Sequence, residues 1–87
     1  MNTADLIRER LNVLEPESLT LEDESAQHKG HAGAASGGGH FRLTLVSPRF
    51  STLTTLARHR LVYEAMGELM QREIHALSIT ALSPEEL

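Results

Sequence analysis

The sequence contains no cysteine and few aromatic residues, and both absences limit what the chain can do. Without cysteine it can form no disulfide, offer no thiolate nucleophile and hold no iron–sulfur cluster by its own thiolates. Chemistry that needs sulfur therefore requires a partner that supplies it. Aromatic residues make up 3% of the 87 residues, so the core must be mostly aliphatic.

Long apolar runs and a basic charge balance are also missing. No run approaches the roughly twenty residues of a membrane span, and the opening Met-Asn-Thr-Ala-Asp does not resemble a secretory signal. We therefore expect a cytoplasmic protein without membrane contact. The formal net charge of −4 at pH 7 gives no overall attraction to nucleic-acid phosphates. The length allows one domain, residues 1–87, with a modest core.

The first half of the chain predicts a helix followed by two strands. Residues 4–14 place apolar side chains on one helical face, with Asn2 or Thr3 as the cap. Residues 18–22 alternate apolar and polar side chains, and residues 40–46 repeat that alternation. We expect these two strands to pair antiparallel. The glycine-rich segment 25–39 between them is predicted to be a flexible loop.

The longest helical pattern, Leu53 to Arg72, is the element around which the fold is expected to assemble. A rotation of 100° per residue points Arg58 and His59 toward its buried side. We expect Arg58 and Arg60 to be solvated, to contact a phosphate or to pair with the acidic end of the first strand. The candidate N-caps are Ser51, Thr52 and Thr54.

A third strand is predicted over residues 74–82, before a marginal turn at residues 83–86. His75 shares the parity of Leu77 and Ile79, which places it toward the apolar face at the open end of the strand. Two apolar helical stripes need one apolar sheet face. The predicted fold is therefore α+β, a three-stranded sheet in the order α-β-β-α-β with both helices on one face.

Five histidines are the strongest chemical signal in the sequence. The spacing of His28 and His31 can chelate a metal, and His40 lies at the far end of the same loop. A zinc-binding loop and a solvated linker are both consistent with this pattern. His59 is interpreted as a core residue hydrogen-bonded to a backbone carbonyl. No histidine has a nucleophile or carboxylate partner at a recognisable spacing, so we expect no enzyme.

Three segments carry a resemblance to the BolA family, and the resemblance spans nearly the whole domain. They are Gly39-His-Phe-Arg-Leu-Thr-Leu-Val-Ser-Pro-Arg-Phe50, Arg58-His-Arg-Leu-Val-Tyr63 and Ile74-His-Ala-Leu77. The terminal Ser-Pro-Glu-Glu is similar to the closing turn of the family. The resemblance implies an α+β fold of the class II KH type. The chain departs from the family at Thr52, where glycine is common, and at Leu87, which replaces a tryptophan near the carboxyl end.

The resemblance also implies a function. Proteins of this family bind monothiol glutaredoxins and share a [2Fe–2S] cluster with them, in iron–sulfur cluster trafficking or iron-dependent regulation. The glutaredoxin cysteine and glutathione supply sulfur, and the BolA protein supplies histidine. His75 matches the ligand of the His-Ala-Leu motif and His31 matches the ligand of the loop, with His28 as a nearby competitor. We expect the isolated chain to be monomeric and to carry no cofactor.

A DNA-binding transcriptional regulator is the alternative, because the KH-like resemblance suggests a nucleic-acid surface. The arginines that could serve such a surface are Arg42, Arg49, Arg58 and Arg60. The acidic charge balance and the absence of a Gly-x-x-Gly turn argue against this function. The only residues that could stack on bases are Phe41, Phe50 and Tyr63.

Overall fold

The computed structural model describes residues 2–25 and 39–87, which form a three-stranded sheet packed against helices. The helices are α1 (Thr3–Leu11), α2 (Thr55–Met66) and the short α3 (Leu69–Arg72). The strands are β1 (Ser18–Asp23), β2 (Gly39–Val46) and β3 (Ile74–Leu82). Short 3-10 turns cover Asn12–Leu14, Pro48–Phe50 and Pro84–Glu86. The predicted α+β class is confirmed. The loop predicted at residues 25–39 lies almost entirely outside the described residues.

Strand β2 is the centre of the sheet. It pairs antiparallel with β1, as predicted, with Leu21 opposite Leu43. It pairs parallel with β3, with Leu43 opposite Ile79. A parallel pair needs a crossover, which α2 and α3 provide between β2 and β3. The crossover packs these helices against the sheet, and α1 packs beside α2.

The core lies between the helices and one face of the sheet. The opposite face of the sheet is polar, and Thr20, Arg42 and Thr80 are exposed there, one from each strand. None of the described helices has the length and apolar composition needed to cross a bilayer. The buried residues that form the core cluster are Ile7, Leu11, Leu14, Phe41, Leu43, Leu45, Phe50, Val62, Met66, Leu69 and Ile74.

The predicted helix from Leu53 to Arg72 is interrupted, so the prediction of one continuous helix is wrong. Thr54 is the cap, and its hydroxyl accepts a hydrogen bond from the Ala57 N–H at 3.1 Å. The helix ends at Gly67, where φ is 56° and ψ is −129°. A β-carbon is disfavoured in this conformation, and one added at Gly67 would lie 3.1 Å from the Arg10 guanidinium. The apolar face of the predicted helix continues in α3, after the break.

Arg10 of α1 contacts the carboxyl-terminal end of α2, where the predicted helix is interrupted. Its guanidinium donates to the Met66 carbonyl at 3.3 Å and pairs with Glu68 at 3.7 Å. The Met66 carbonyl is one of the acceptors that a helix leaves without an intrahelical partner at its end. A contact between two helices therefore compensates for the break.

Arg58 is buried on α2, as predicted, but pairing with the acidic end of β1 is contradicted. Its guanidinium donates to the carbonyls of Leu53 and Ala81, each at 3.0 Å, and to the Glu86 carboxylate at 2.5 Å. The same Glu86 oxygen accepts from the backbone N–H of Ser83 at 2.6 Å and from its hydroxyl at 2.9 Å. The carboxyl-terminal turn, expected from sequence to be marginal, is therefore tied to α2.

The electrostatics of Glu86 reflect these contacts. The Arg58 hydrogen bond, followed by the Ser83 backbone and side-chain hydrogen bonds, lowers the pKa of Glu86 from 4.5 to about 2. Each of these donors stabilises the ionised carboxylate more than the neutral acid. Glu86 therefore stays ionised well below the pH at which a glutamate without these donors becomes protonated.

Candidate functional site

The candidate site lies where β3 begins, at an irregularity in its pairing with β2. Gly39 is opposite Ile74 and His40 is opposite Ala76, so His75 is an extra residue without a partner across the ladder. This is a β-bulge. Ile74 is 3% exposed and belongs to the core, whereas His75 and Ala76 are both exposed.

The bulge corrects the predicted orientation of His75. Strict alternation back from Leu77 places His75 toward the apolar face, and this prediction is wrong. The extra residue shifts the alternation by one position, so Ile74 takes the buried place instead. The imidazole of His75 is consequently accessible to solvent and to a partner protein.

Gly39, at the start of β2, leaves space that the buried Phe41 ring of the same strand occupies. Its N–H donates to the Glu73 carbonyl at 3.1 Å, which joins the start of β2 to the residue before β3. A β-carbon at Gly39 would lie 2.5 Å from Cε2 of the buried Phe41 ring. Only glycine fits without displacing that ring.

The backbone of His40 is fixed by the end of β1. Its N–H donates to the Ser25 hydroxyl at 3.0 Å, and its carbonyl accepts from the Glu24 N–H at 2.7 Å. Ser25 in turn donates its N–H to the Asp23 carboxylate at 2.9 Å. The side-chain and backbone hydrogen bonds of Ser25 lower the pKa of Asp23, which keeps this acceptor ionised.

The structure brings the side chains of His40 and His75 together. Their ring centroids are 5.0 Å apart, with an angle of 45° between the ring planes. His40 is half-buried and His75 is exposed, so the pair forms a partly open site at the surface. Within residues 2–25 and 39–87, no three histidine, aspartate or glutamate side chains are grouped as metal ligands. The site therefore offers two nitrogen donors and leaves further ligands to water or a partner.

The other candidate residues from the sequence lie elsewhere. His31 and His28 fall outside the described residues, so the ligand role predicted for His31 stays a prediction. His59 is half-buried on α2 and is not among the buried polar residues, so its interpretation as a core residue is not confirmed. The sequence does not predict the proximity of His40 to His75, because it places each at the start of a strand without giving the pairing of those two strands. The sequence feature that marks this position is the glycine directly before His40.

A comparison with protein-family models identifies the family of this chain. The model for "BolA-like protein" matches residues 11–86. This range contains all three strands, α2, α3 and the His40–His75 pair.

Curated relatives and a solved structure agree with that match. The chain is 42% identical over 89 residues to "Protein BOLA1, chloroplastic" of Arabidopsis thaliana, covering 98% of this chain and 56% of the relative. It is 37% identical over 83 residues to "DNA-binding transcriptional regulator BolA" of Vibrio cholerae, covering 94% and 76%. The structure of BolA1 from Arabidopsis thaliana superposes with a TM-score of 0.84 at 38% identity, covering 100% and 98%.

These similarities have defined limits. The chain spans little more than half the length of its Arabidopsis relative, so the activity of a whole relative is not transferred with the domain. The Arabidopsis and Vibrio relatives are named as a BolA protein and a transcriptional regulator, not as enzymes. The cytoplasmic location stays a prediction, because the Arabidopsis relative is named chloroplastic.

Proposed function

Because this chain belongs to the BolA family, we propose that it is a non-enzymatic adaptor that binds a monothiol glutaredoxin and co-ligates a [2Fe–2S] cluster. The exposed position of His75 at the bulge is the observation that carries the proposal. A histidine in a regular strand would face the core, whereas this one can reach a metal centre held by another protein. Its role would be in iron–sulfur cluster trafficking or iron-dependent regulation.

The donor set of the chain fits such a cluster. Histidine can replace thiolate on one iron of a [2Fe–2S] cluster, and a chain without cysteine must obtain thiolates from a partner. In this proposal His75 is one imidazole ligand and His31 the second, while the glutaredoxin cysteine and glutathione supply sulfur. When bound, the cluster would supply a one-electron carrier or a transferable iron–sulfur unit. Imidazole ligation would raise its reduction potential relative to a cluster with thiolates alone.

The test is a titration of a monothiol glutaredoxin that carries its glutathione-ligated cluster. Visible absorption and circular dichroism should change on addition of this protein and saturate at equal stoichiometry. His75→Ala should remove or alter the change, because the exposed imidazole would be lost. His31→Ala should alter it if the loop supplies the second ligand.

The matched control is His59→Ala, which removes a half-buried histidine from α2. It should leave the spectral change intact, and far-ultraviolet circular dichroism of each variant reports whether the fold is retained. Absence of both a spectral change and a complex with the wild-type chain would refute the adaptor function. A change that is identical in the wild type and both ligand variants would refute histidine ligation.

Direct DNA binding is the second candidate, because the Vibrio relative is named a DNA-binding regulator. Three of the arginines considered for phosphate contacts are engaged within the chain. Arg42 pairs with Glu24 at 3.3 Å, Arg49 with Glu15 at 2.9 Å, and Arg58 with the terminal turn. Binding to a duplex would have to compete with these pairs. A steep decrease of duplex affinity with salt would favour this candidate over the adaptor.

A further inference from the structure

His40 and His75 approach each other across the β2–β3 bulge, yet of these two residues only His75 is a ligand in the proposed cluster site. We propose that the two imidazoles together form a chelating pair for a single transition-metal centre, with His40 as a ligand contributed by the folded sheet. The biological use of the pair rests on the proposed function, since both involve His75. The binding itself is a property of this chain and needs no glutaredoxin.

The separation of the rings agrees with a shared metal. Zinc–imidazole bonds of about 2.0–2.1 Å place the centre of each ring about 3.2 Å from the metal. Two such rings at a tetrahedral angle have centres about 5.2 Å apart, and at a right angle about 4.5 Å. The observed centroid separation of 5.0 Å lies between these values.

Packing of two rings without a metal gives similar separations, of about 4.5–7 Å, so the distance needs a second argument. The bulge provides one, because it changes the face of the sheet to which His75 belongs. His40 lies between the core residue Phe41 and Gly39, on the side of β2 away from the core. Regular alternation would leave His75 on the core side, but the bulge exposes it together with Ala76. Two imidazoles that the alternation would separate thus share one site.

The pair is also held in place before any metal binds. The backbone of His40 is fixed by the hydrogen bonds to Ser25 and Glu24, and Gly39 joins the two strands through the Glu73 carbonyl. A metal bound by side chains on these adjacent strands therefore requires little further ordering of the backbone, so little conformational entropy is lost on binding. His75 is exposed, so an ion can enter from solvent and keep water in its remaining positions.

Two neutral imidazoles suit borderline divalent metals such as Zn²⁺, Co²⁺ and Ni²⁺ more than Mg²⁺ or Ca²⁺. The first experiment is a calorimetric titration of the isolated chain with Zn²⁺, followed by visible absorption of the Co²⁺ form. We expect one ion per chain, with cobalt d–d bands that report nitrogen ligation. Mg²⁺ should give no binding under the same conditions.

The variants are His40→Phe and His75→Phe, which keep an aromatic ring and remove its nitrogens. Each should weaken Zn²⁺ binding roughly tenfold or more, because the second ligand would no longer act at high effective concentration. His59→Phe on α2 is the matched control and should bind as the wild type does. A variant with both His28 and His31 changed to asparagine should retain binding, because the pair in the sheet is intact.

Three outcomes would overturn the proposal. They are an absence of Zn²⁺ binding by the wild type, unchanged binding in His40→Phe, and loss of binding in the His28/His31 variant alone. The second outcome would mean that the rings are only packed together, and the third would assign the metal to the loop. Failure here is distinguishable from failure of the adaptor function. The wild-type chain could alter the spectrum of the glutaredoxin cluster while His40→Phe leaves Zn²⁺ binding unchanged. That combination would overturn only the chelating pair.

Discussion

Replacing Thr52 with glycine should stabilise the protein, because Thr52 occupies a backbone conformation that suits glycine. Its φ is 67°, in the left-handed region. This region costs a residue with a β-carbon about 1–2 kcal/mol, and β-branched residues are genuine outliers there. Thr52 is exposed, so removing its side chain sacrifices little packing. The resemblance to the family implies glycine at this position, and glycine adopts this conformation without strain.

The magnitude follows from two opposing contributions. Glycine relieves about 1–2 kcal/mol of local strain. It also gives the unfolded chain more conformational freedom, which lowers the free energy of unfolding by about 0.4–1 kcal/mol. The expected net gain is about 0.5–1 kcal/mol in the free energy of unfolding. For a domain of this size, 1 kcal/mol corresponds to about 4–8 °C in Tm, so Thr52→Gly should raise Tm by about 2–8 °C.

Thermal and urea unfolding followed by circular dichroism would measure this gain. The matched control is Thr20→Gly, also an exposed threonine, but within the extended β1 strand. There glycine relieves no strain and should destabilise by about 0.5–1 kcal/mol. If Thr52→Gly lowers the urea midpoint as much as Thr20→Gly does, the strain assigned to Thr52 does not exist.

Two further substitutions test other parts of the structure. Glu86 has its pKa lowered to about 2, so its ionised form contributes stability that is complete above pH 4.5 and is lost as the pH falls toward 2. The difference in unfolding free energy between the wild type and Glu86→Gln should therefore be constant near neutral pH and shrink between pH 4.5 and pH 2. A difference that does not change with pH would contradict the Arg58 contact. Gly39→Ala should cost about 1–3 kcal/mol in urea unfolding, because its β-carbon would collide with the buried Phe41 ring. A variant as stable as the wild type would show that the Phe41 ring can move aside without cost.

Much of the fold could be predicted because its core positions repeat at regular spacings. Phe41, Leu43 and Leu45 alternate along β2 and are all buried, as a strand with one covered face requires. What local periodicity could not predict depends on contacts between distant parts of the chain. The apolar stripe of the central helix continues past Gly67 into α3, so nothing in the spacing marks the break. The Arg10 contact that supports the break comes from another helix.

The same limit applies to the partner of Arg58. Position on the helix predicts that this side chain turns inward, and burial confirms it. A buried guanidinium needs several acceptors, and the sequence does not specify which ones the fold will supply. The sequence offers the acidic end of the first strand as one possible partner, whereas the structure uses two carbonyls and the carboxylate of Glu86. Glu86 lies in the carboxyl-terminal turn, far from Arg58 along the chain.

For the candidate site, the family resemblance identifies His75, but only the structure explains its exposure. Alternation assigns a face to each strand residue only while each has a partner across the ladder. One unpaired residue at the start of β3 reverses the assignment, and it simultaneously places His75 next to His40. Gly39 lies beside this register shift, and a larger residue there would meet the Phe41 ring. If metal binding is measured in Gly39→Ala, it should therefore weaken along with stability, which would connect the backbone irregularity directly to the ligand pair.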